Sequence, residues 1–253
     1  MAAIRAITFD LWDTVYADDS DEPERARRGL PGKPQARRLL VQQALQLQDP
    51  VSLARLEGAY AACDAAFRKT WTELQVTWSV AERLQLVLAG LGAELPADTF
   101  SELVGAHERM ELDLPPRLAP GVAEALQQLR ERYRLGVISD TVFSPGWALR
   151  QMLERDGLAD CFDAFVFSDE VGRAKPATEV FAAAARQLGV QAAELVHLGD
   201  REHNDVAGAH QFGARAVLVT VVKDRGSATT AADAVCADYA RLPEILERLE
   251  RQP

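Results

Sequence analysis

Four short apolar segments in this chain run straight into polar or acidic residues. Residues 4–9 meet Asp10, residues 133–139 close on Ser139 ahead of Asp140, residues 164–167 meet Ser168-Asp169-Glu170, and residues 195–198 meet Gly199-Asp200. Segments this short and this uniformly apolar suit parallel strands covered on both faces. Helical patterns separate them, over residues 121–132, 144–155, 177–188 and 206–212, with Pro145 in a first turn where its missing N–H costs nothing. A fifth strand is expected over 216–221, a short sixth over 235–237 and a last helix over 243–251. This alternation predicts an α/β chain: a three-layer, Rossmann-like core with a mostly parallel sheet. Ligands of such sheets bind beyond the carboxyl ends of the strands, so the four polar exits are where chemistry is expected.

The alternation is interrupted once. After the first strand come Leu11-Trp12-Asp13-Thr14-Val15, an acidic stretch from Asp18 to Glu24, then Arg25, Arg27, Arg28 and Lys33 broken by Gly29, Pro31, Gly32 and Pro34. That composition reads as an exposed connection. From residue 35 to residue 110 the signal is helical. Leu39, Leu40 and Ala44 or Leu45 form one apolar stripe, and Leu53, Leu56, Tyr60, Cys63, Phe67, Trp71 and Leu74 a second. Ser79 and Glu82 make a capping box for a third helix, expected to stop at Gly90, and residues 96–110 form a fourth. These stripes must bury against one another, which predicts an inserted all-helical subdomain. The expected division is a discontinuous core of residues 1–16 and 115–253 around a helical insert of residues 17–114.

Charge narrows the function classes. Of 253 residues, 38 are Asp or Glu and 28 are Lys or Arg, a formal charge of −10, which argues against a general nucleic-acid or anionic-membrane surface. No stretch approaches the ~18 apolar residues that span a bilayer. Cys63, Cys161 and Cys236 lie far apart without a CxxC pair and read as buried apolar groups in a reducing compartment. The first apolar segment is short, meets Asp10, and follows no basic region, so a cytoplasmic, unprocessed chain is expected.

Asp10, Asp200 and Asp205 are three carboxylates that such a fold can gather. Crowded carboxylates repel and take up protons unless a cation sits among them. An all-oxygen donor set favours Mg²⁺ over softer metals. Lys175, bracketed by Gly172 and Pro176, supplies an ammonium able to neutralise a nucleophilic carboxylate or a transferring phosphoryl group.

Taken in order, these segments resemble the haloacid dehalogenase-like hydrolase superfamily, over nearly the whole core. Asp10 and Thr14 in "FDLWDTV" match its first motif and Ser139 in "LGVISDT" its second. Lys175 in "VGRAKPATEVF" matches the third, and Gly199, Asp200 and Asp205 in "HLGDREHNDVAGAHQFGARAV" the fourth. The helical insert is similar to the cap of the subgroup that carries one after the first motif. The resemblance implies that Asp10 is a nucleophile forming a covalent aspartyl intermediate. It implies that Thr14 and Ser139 position it and bind the transferring group, and that Lys175 stabilises charge. Mg²⁺ would be held by Asp10, the backbone carbonyl of Trp12 and Asp200, with Asp205 in direct or water-mediated support. A small anionic substrate follows, and helical caps of this kind also make homodimer contacts.

One position departs from the pattern. Phosphatases of the superfamily carry a second aspartate two residues after the nucleophile, as general acid and base; here that residue is Trp12. Losing such a group typically costs ~10²–10⁴ in rate. Asp13 is expected to point away unless the chain turns locally, and the insert's Glu108 or His107 could compensate. The haloacid dehalogenases carry an aromatic residue at that position and need no leaving-group acid or metal. They lack the metal-binding aspartate kept here as Asp200, and their tyrosine shortly after the lysine is absent, with Phe181 the nearest aromatic. Three readings therefore stand: a Mg²⁺-dependent phosphatase favouring good leaving groups, a metal-independent 2-haloacid dehalogenase working through an Asp10 ester, and a catalytically weak binding relative. His197 is expected to be a packed residue, Trp71 and Trp78 insert core, and His203 and Glu202 loop residues near the site. Of Arg25, Arg27, Arg28, Lys33, Arg37 and Arg38, one or two are expected to reach a substrate carboxylate or second phosphate.

Overall fold

The computed structural model describes residues 3–251. Among them six strands form one sheet: β1 (Ala6–Phe9), β2 (Arg134–Ser139), β3 (Ala164–Phe167), β4 (Leu195–Gly199), β5 (Arg215–Val219) and β6 (Ala234–Cys236). Every pairing is parallel, in the order β3-β2-β1-β4-β5-β6. β1 is central because all four of its residues are apolar or small enough to be buried on both faces. Phe9 pairs with Val137 on one side and Leu198 on the other, and the Asp10 amide donates to the Leu198 carbonyl at 2.8 Å. The chain order reverses between β1 and β4, so a crevice opens where Asp10 and Asp200 leave the sheet.

After β1 come six helices of the helical insert: α1 (Glu22–Arg27), α2 (Lys33–Ala44), α3 (Pro50–Lys69), α4 (Val80–Leu91), α5 (Ala97–Glu108) and α6 (Met110–Asp113). Six more follow: α7 (Val122–Leu129), α8 (Gly146–Arg155), α9 (Ser168–Val171), α10 (Thr178–Leu188), α11 (Ala207–Phe212) and α12 (Leu242–Arg251). On one face of the sheet Leu126 of α7, Met152 of α8 and Leu246 of α12 pack with Ile7 and Phe9. On the other, Phe181 and Leu188 of α10 and Ala209 of α11 pack with Ala6 and Leu195. A third cluster, holding Val41, Leu56, Tyr60, Val87 and Leu103, lies wholly within α2–α5.

Several local expectations change. The stretch read as an exposed connection contains α1 and buries Asp21, Arg25 and Lys33, and Arg37 in the helix after it is buried too. Burial is affordable for Lys33 and Asp21 because the charges match: Lys33 Nζ lies 3.0, 2.9 and 3.2 Å from Asp19, Asp21 and Glu111. Ser79 and Glu82 do form the capping box, but α4 runs past Gly90 to a left-handed Gly92, while Gly90 packs against Ala59. The fourth insert helix is broken at Arg109 into α5 and α6. Leu74 leaves its stripe, because α3 ends in a π-helical turn over 70–74 that turns it to solvent.

Candidate active site

The carboxyl ends of β1 and β4 set the floor of the site. Asp10 Oδ1 and Asp205 Oδ1 each accept a hydrogen bond from Lys175 Nζ at 2.6 Å, and all three residues are buried. Oxygens of Asp10, Asp200 and Asp205 lie within 4.8 Å of one another. Asp205 comes this close only because residue 199 has no side chain: a Cβ there would sit 2.2 Å from Asp205 Cγ.

Asp205 is held on every side. Besides Lys175, His197 Nε2 lies 3.2 Å from Oδ1, and the Arg201 amide donates to Oδ2 at 2.9 Å. Burial keeps the His197 imidazole neutral, so its Nε2–H donates to Asp205 while Nδ1, 2.9 Å from Thr8 Oγ1, accepts the hydroxyl proton. Packed against Phe181, His197 therefore orients Asp205 and does not exchange protons with a ligand. Asp10 and Asp200 are freer. Asp10 Oδ2 has no hydrogen-bond partner among the described residues, and Asp200 Oδ1 is buried without one. A hard divalent cation fits this donor set: Asp10 and Asp200 would hold it, and Asp205 would support them. The turn after β1 also leaves the Trp12 carbonyl without a hydrogen bond among the described residues.

Burial pushes Asp10 up to about 8, with Asp205 and Asp200 adding to the push and Lys175 opposing it. Asp200 rises to about 6 for the same first reason, against the pull of Arg201 and Arg225. Burial works against Asp205 too, but Lys175 and His197 outweigh it and hold that carboxyl well below the usual range. Lys175 itself is lifted by Asp10, Asp205 and Asp140 despite its burial, so it stays an ammonium.

Two further residues complete the floor: Asp140, which the sequence places at a strand exit without a role, and Arg225, which it does not single out. Asp140 accepts from the Lys175 amide at 2.9 Å and from Asn204 Nδ2 at 3.1 Å, which fixes the lysine-bearing loop. Arg225, from the loop after β5, ties Asp200 to Asp13, its Nη2 lying 2.5 Å from Asp13 Oδ2. Nothing about Arg225 in the sequence announces this, since it lies outside any strand exit motif.

Thr14 and Ser139 sit beside the floor without lining the cavity above it. Both side chains are buried, and neither hydroxyl has a hydrogen-bond partner. The cavity measures about 260 Å³ and is walled by Trp12 and Asp10 below and by Arg37 and Trp71 of the insert above. Trp71 is therefore a wall residue, not insert core. Each residue considered as a substitute for the missing acid is otherwise engaged. Asp13 does adopt a local turn, at φ +52°, but its carboxylate is taken by Arg225 and by the Asp18 amide at 3.0 Å. Glu108 accepts from Trp147 Nε1 away from the cavity. His107 is buried in the insert against the Leu103 carbonyl and Tyr60, and burial lowers it to about 4. Glu202 and His203 are exposed, with Glu202 bonded to the 230–231 segment.

A parallel-sheet core with an acidic cleft at its switch point and a helical insert over it defines a hydrolase of the capped α/β type. A model of the haloacid dehalogenase-like hydrolase family matches residues 4–213, and the chain is an enzyme belonging to that family. The glyceraldehyde 3-phosphate phosphatase of Methanopyrus kandleri is 30% identical over 230 residues, which is 88% of this chain and 85% of that protein. Among solved structures, a HAD phosphatase from Thermococcus onnurineus superposes with a TM-score of 0.63 at 23% identity, covering 96% of this chain and 98% of that one. A 2-haloacid dehalogenase from Pseudomonas syringae pv. Tomato gives a TM-score of 0.55, also at 23% identity, covering 97% and 99%. Backbone likeness at this level shows the fold and does not separate the two chemistries. Among the described residues no helix is long and apolar enough to cross a membrane.

Proposed function

We propose that the chain is a Mg²⁺-dependent phosphatase acting on a small organic phosphate, with residues 17–114 as a cap over a core of residues 1–16 and 115–253. The observation that carries this reading is Asp200: a buried carboxylate whose Oδ1 has no hydrogen bond, with the Arg201 Nε 3.8 Å away, beside the two further buried carboxylates of Asp10 and Asp205. A metal-free dehalogenase would have no use for it. The phosphatase named for the Methanopyrus relative supports the same reading. Asp10 would attack phosphorus, forming an aspartyl phosphate as the bond to the leaving oxygen breaks. Water would then cleave the acyl phosphate, releasing inorganic phosphate and restoring Asp10. Lys175 would hold Asp10 in place and screen the approach of two anions. Bound Mg²⁺ would supply further charge neutralisation between nucleophile and phosphate. Thr14 and Ser139 would turn their unpartnered hydroxyls to the transferring group.

Phosphate release from p-nitrophenyl phosphate that stops with chelator and returns with Mg²⁺ is the direct test. Chelator-resistant halide release from 2-chloropropionate, with no phosphate release, would replace this reading by the dehalogenase one.

Metal affinity has its own signature in stability. Asp10 and Asp200 are raised in the fold, so the metal-free protein loses stability as pH rises from about 4 towards 8, where both must ionise. A cation binds the ionised cluster and offsets that loss. At about a hundred times its dissociation constant, Mg²⁺ should contribute ~2.7 kcal/mol, or a ~5–10 °C rise in Tm, near pH 8. The rise should shrink near pH 5, where protons compete. A rise equal at both pH values would place the ion elsewhere.

A further inference from the structure

Buried cations around the cavity are matched, with one exception. Lys175 meets Asp10 and Asp205, Lys33 meets three carboxylates, and Arg83 meets Asp64 at 2.7 Å and the Val142 carbonyl at 2.9 Å. Arg37, only 7% exposed, has no carboxylate within ion-pair distance among the described residues. One face of its guanidinium lies 3.5 Å from the centre of the Phe143 ring, and its Nε–H is buried with no acceptor. Glu111 shares the cavity but is held by Lys33. Burial pushes the Arg37 guanidinium down to about 10, against the pull of Glu111 and with Arg83 adding to the push. A cation placed so at a cost of several kcal/mol calls for an anion.

Trp71 repeats the pattern. It lines the same cavity, and its buried indole Nε1–H has no acceptor. The cavity that holds Lys175 and the carboxylate cluster is thus also lined by two residues that each bury a donor with no acceptor.

We infer that Arg37 and Trp71 form a second anion subsite, and that the substrate is a phosphate monoester that also carries a carboxylate. The substrate class rests on the phosphatase reading; the subsite does not, because binding alone reads it. A carboxylate suits the site better than a second phosphate. It lies flat in the plane of a guanidinium whose face is already stacked. Asp18, Asp19 and Glu111 also line the cavity, so a doubly charged group would meet more repulsion than a singly charged one.

The test compares 3-phosphoglycerate with glycerol 3-phosphate, which replaces the carboxylate by a neutral hydroxymethyl group. Both are titrated calorimetrically, with Mg²⁺, into the Asp10→Asn protein, where nothing turns over. The carboxylate compound is expected to bind about tenfold tighter or more. Arg37→Gln and Trp71→Phe should each remove most of that ratio while leaving glycerol 3-phosphate within about threefold. Trp71→Phe keeps the ring, so it decides the matter if Arg37→Gln fails to fold. Equal affinities for the two compounds, or a ratio that survives both variants, would overturn the subsite. Tighter binding of fructose 1,6-bisphosphate than of 3-phosphoglycerate would overturn the carboxylate in favour of a second phosphate. An intact ratio in a protein whose native form releases no phosphate would keep the subsite and overturn the substrate class.

Discussion

Trp12→Asp is expected to raise turnover of alkyl phosphates by about 10²–10³-fold while changing activated aryl phosphates by less than about tenfold. Trp12 stands two residues past Asp10 on the cavity wall, its ring tilted against Tyr16 at 6.4 Å. An indole neither gives nor takes a proton near neutral pH, so an alkoxide must leave unprotonated. A nitrophenolate leaves readily without that help. The native enzyme should therefore show a steep dependence of rate on leaving-group pKa, and the variant a shallow one. A parallel rise for both substrate types would mean that the tryptophan merely obstructs the cavity. Asp18 offers a contrasting outcome. It is exposed, lines the cavity, and has its pKa raised by partial burial and by Asp19. Native turnover of alkyl esters already near the aryl rate, and falling about 10²-fold in Asp18→Asn, would assign proton transfer to Asp18 and sink the Trp12 prediction.

Asp10→Asn should lower turnover by about 10⁴-fold or more. The intact mass of the native chain, incubated with Mg²⁺ and acetyl phosphate, should rise by about 80 Da, and the variant's should not. The native adduct should also be long-lived. Hydrolysis of the acyl phosphate normally enlists the same group that protonates the leaving oxygen, and that group is missing here. Chelator should abolish the adduct. Rapid phosphate release with no detectable adduct would mean that a base elsewhere in the cavity does the work of the absent aspartate.

Strand exits were the readable part of this chain. Asp10, Ser139, Asp140 and Asp200 follow runs whose burial needs nothing beyond their own apolar side chains, so local pattern and final position coincide. Lys175, Gly199 and Asp205 were readable because the loops that carry them are short and tied to those exits. What stayed hidden depends on distance along the chain. Arg225 reaches Asp13 across 212 positions, and no spacing rule picks out Arg37 and Lys33 as the ones that line the cavity among the six basic residues of which one or two were expected to reach the substrate. The charged run from Arg25 to Arg38 looked solvated because polarity alone was visible there. Within it Lys33 is buried because Asp21 and Glu111, the latter 78 positions away, meet its ammonium. His197 looked like packing and is packed, yet its hydrogen bond to Asp205 makes it part of the floor.

The Lys33 cluster lies where the chain both enters and leaves the helical insert: Asp19 and Asp21 precede α1, and Glu111 follows α5. It is a clasp that joins the two connecting straps. Any rocking of the roof that parted the straps would strip a nearly water-free ammonium of its counterions. Opening should therefore be an infrequent, all-or-none event. Product dwell time would then be governed by the clasp, in the wall of the same cavity that holds Asp10.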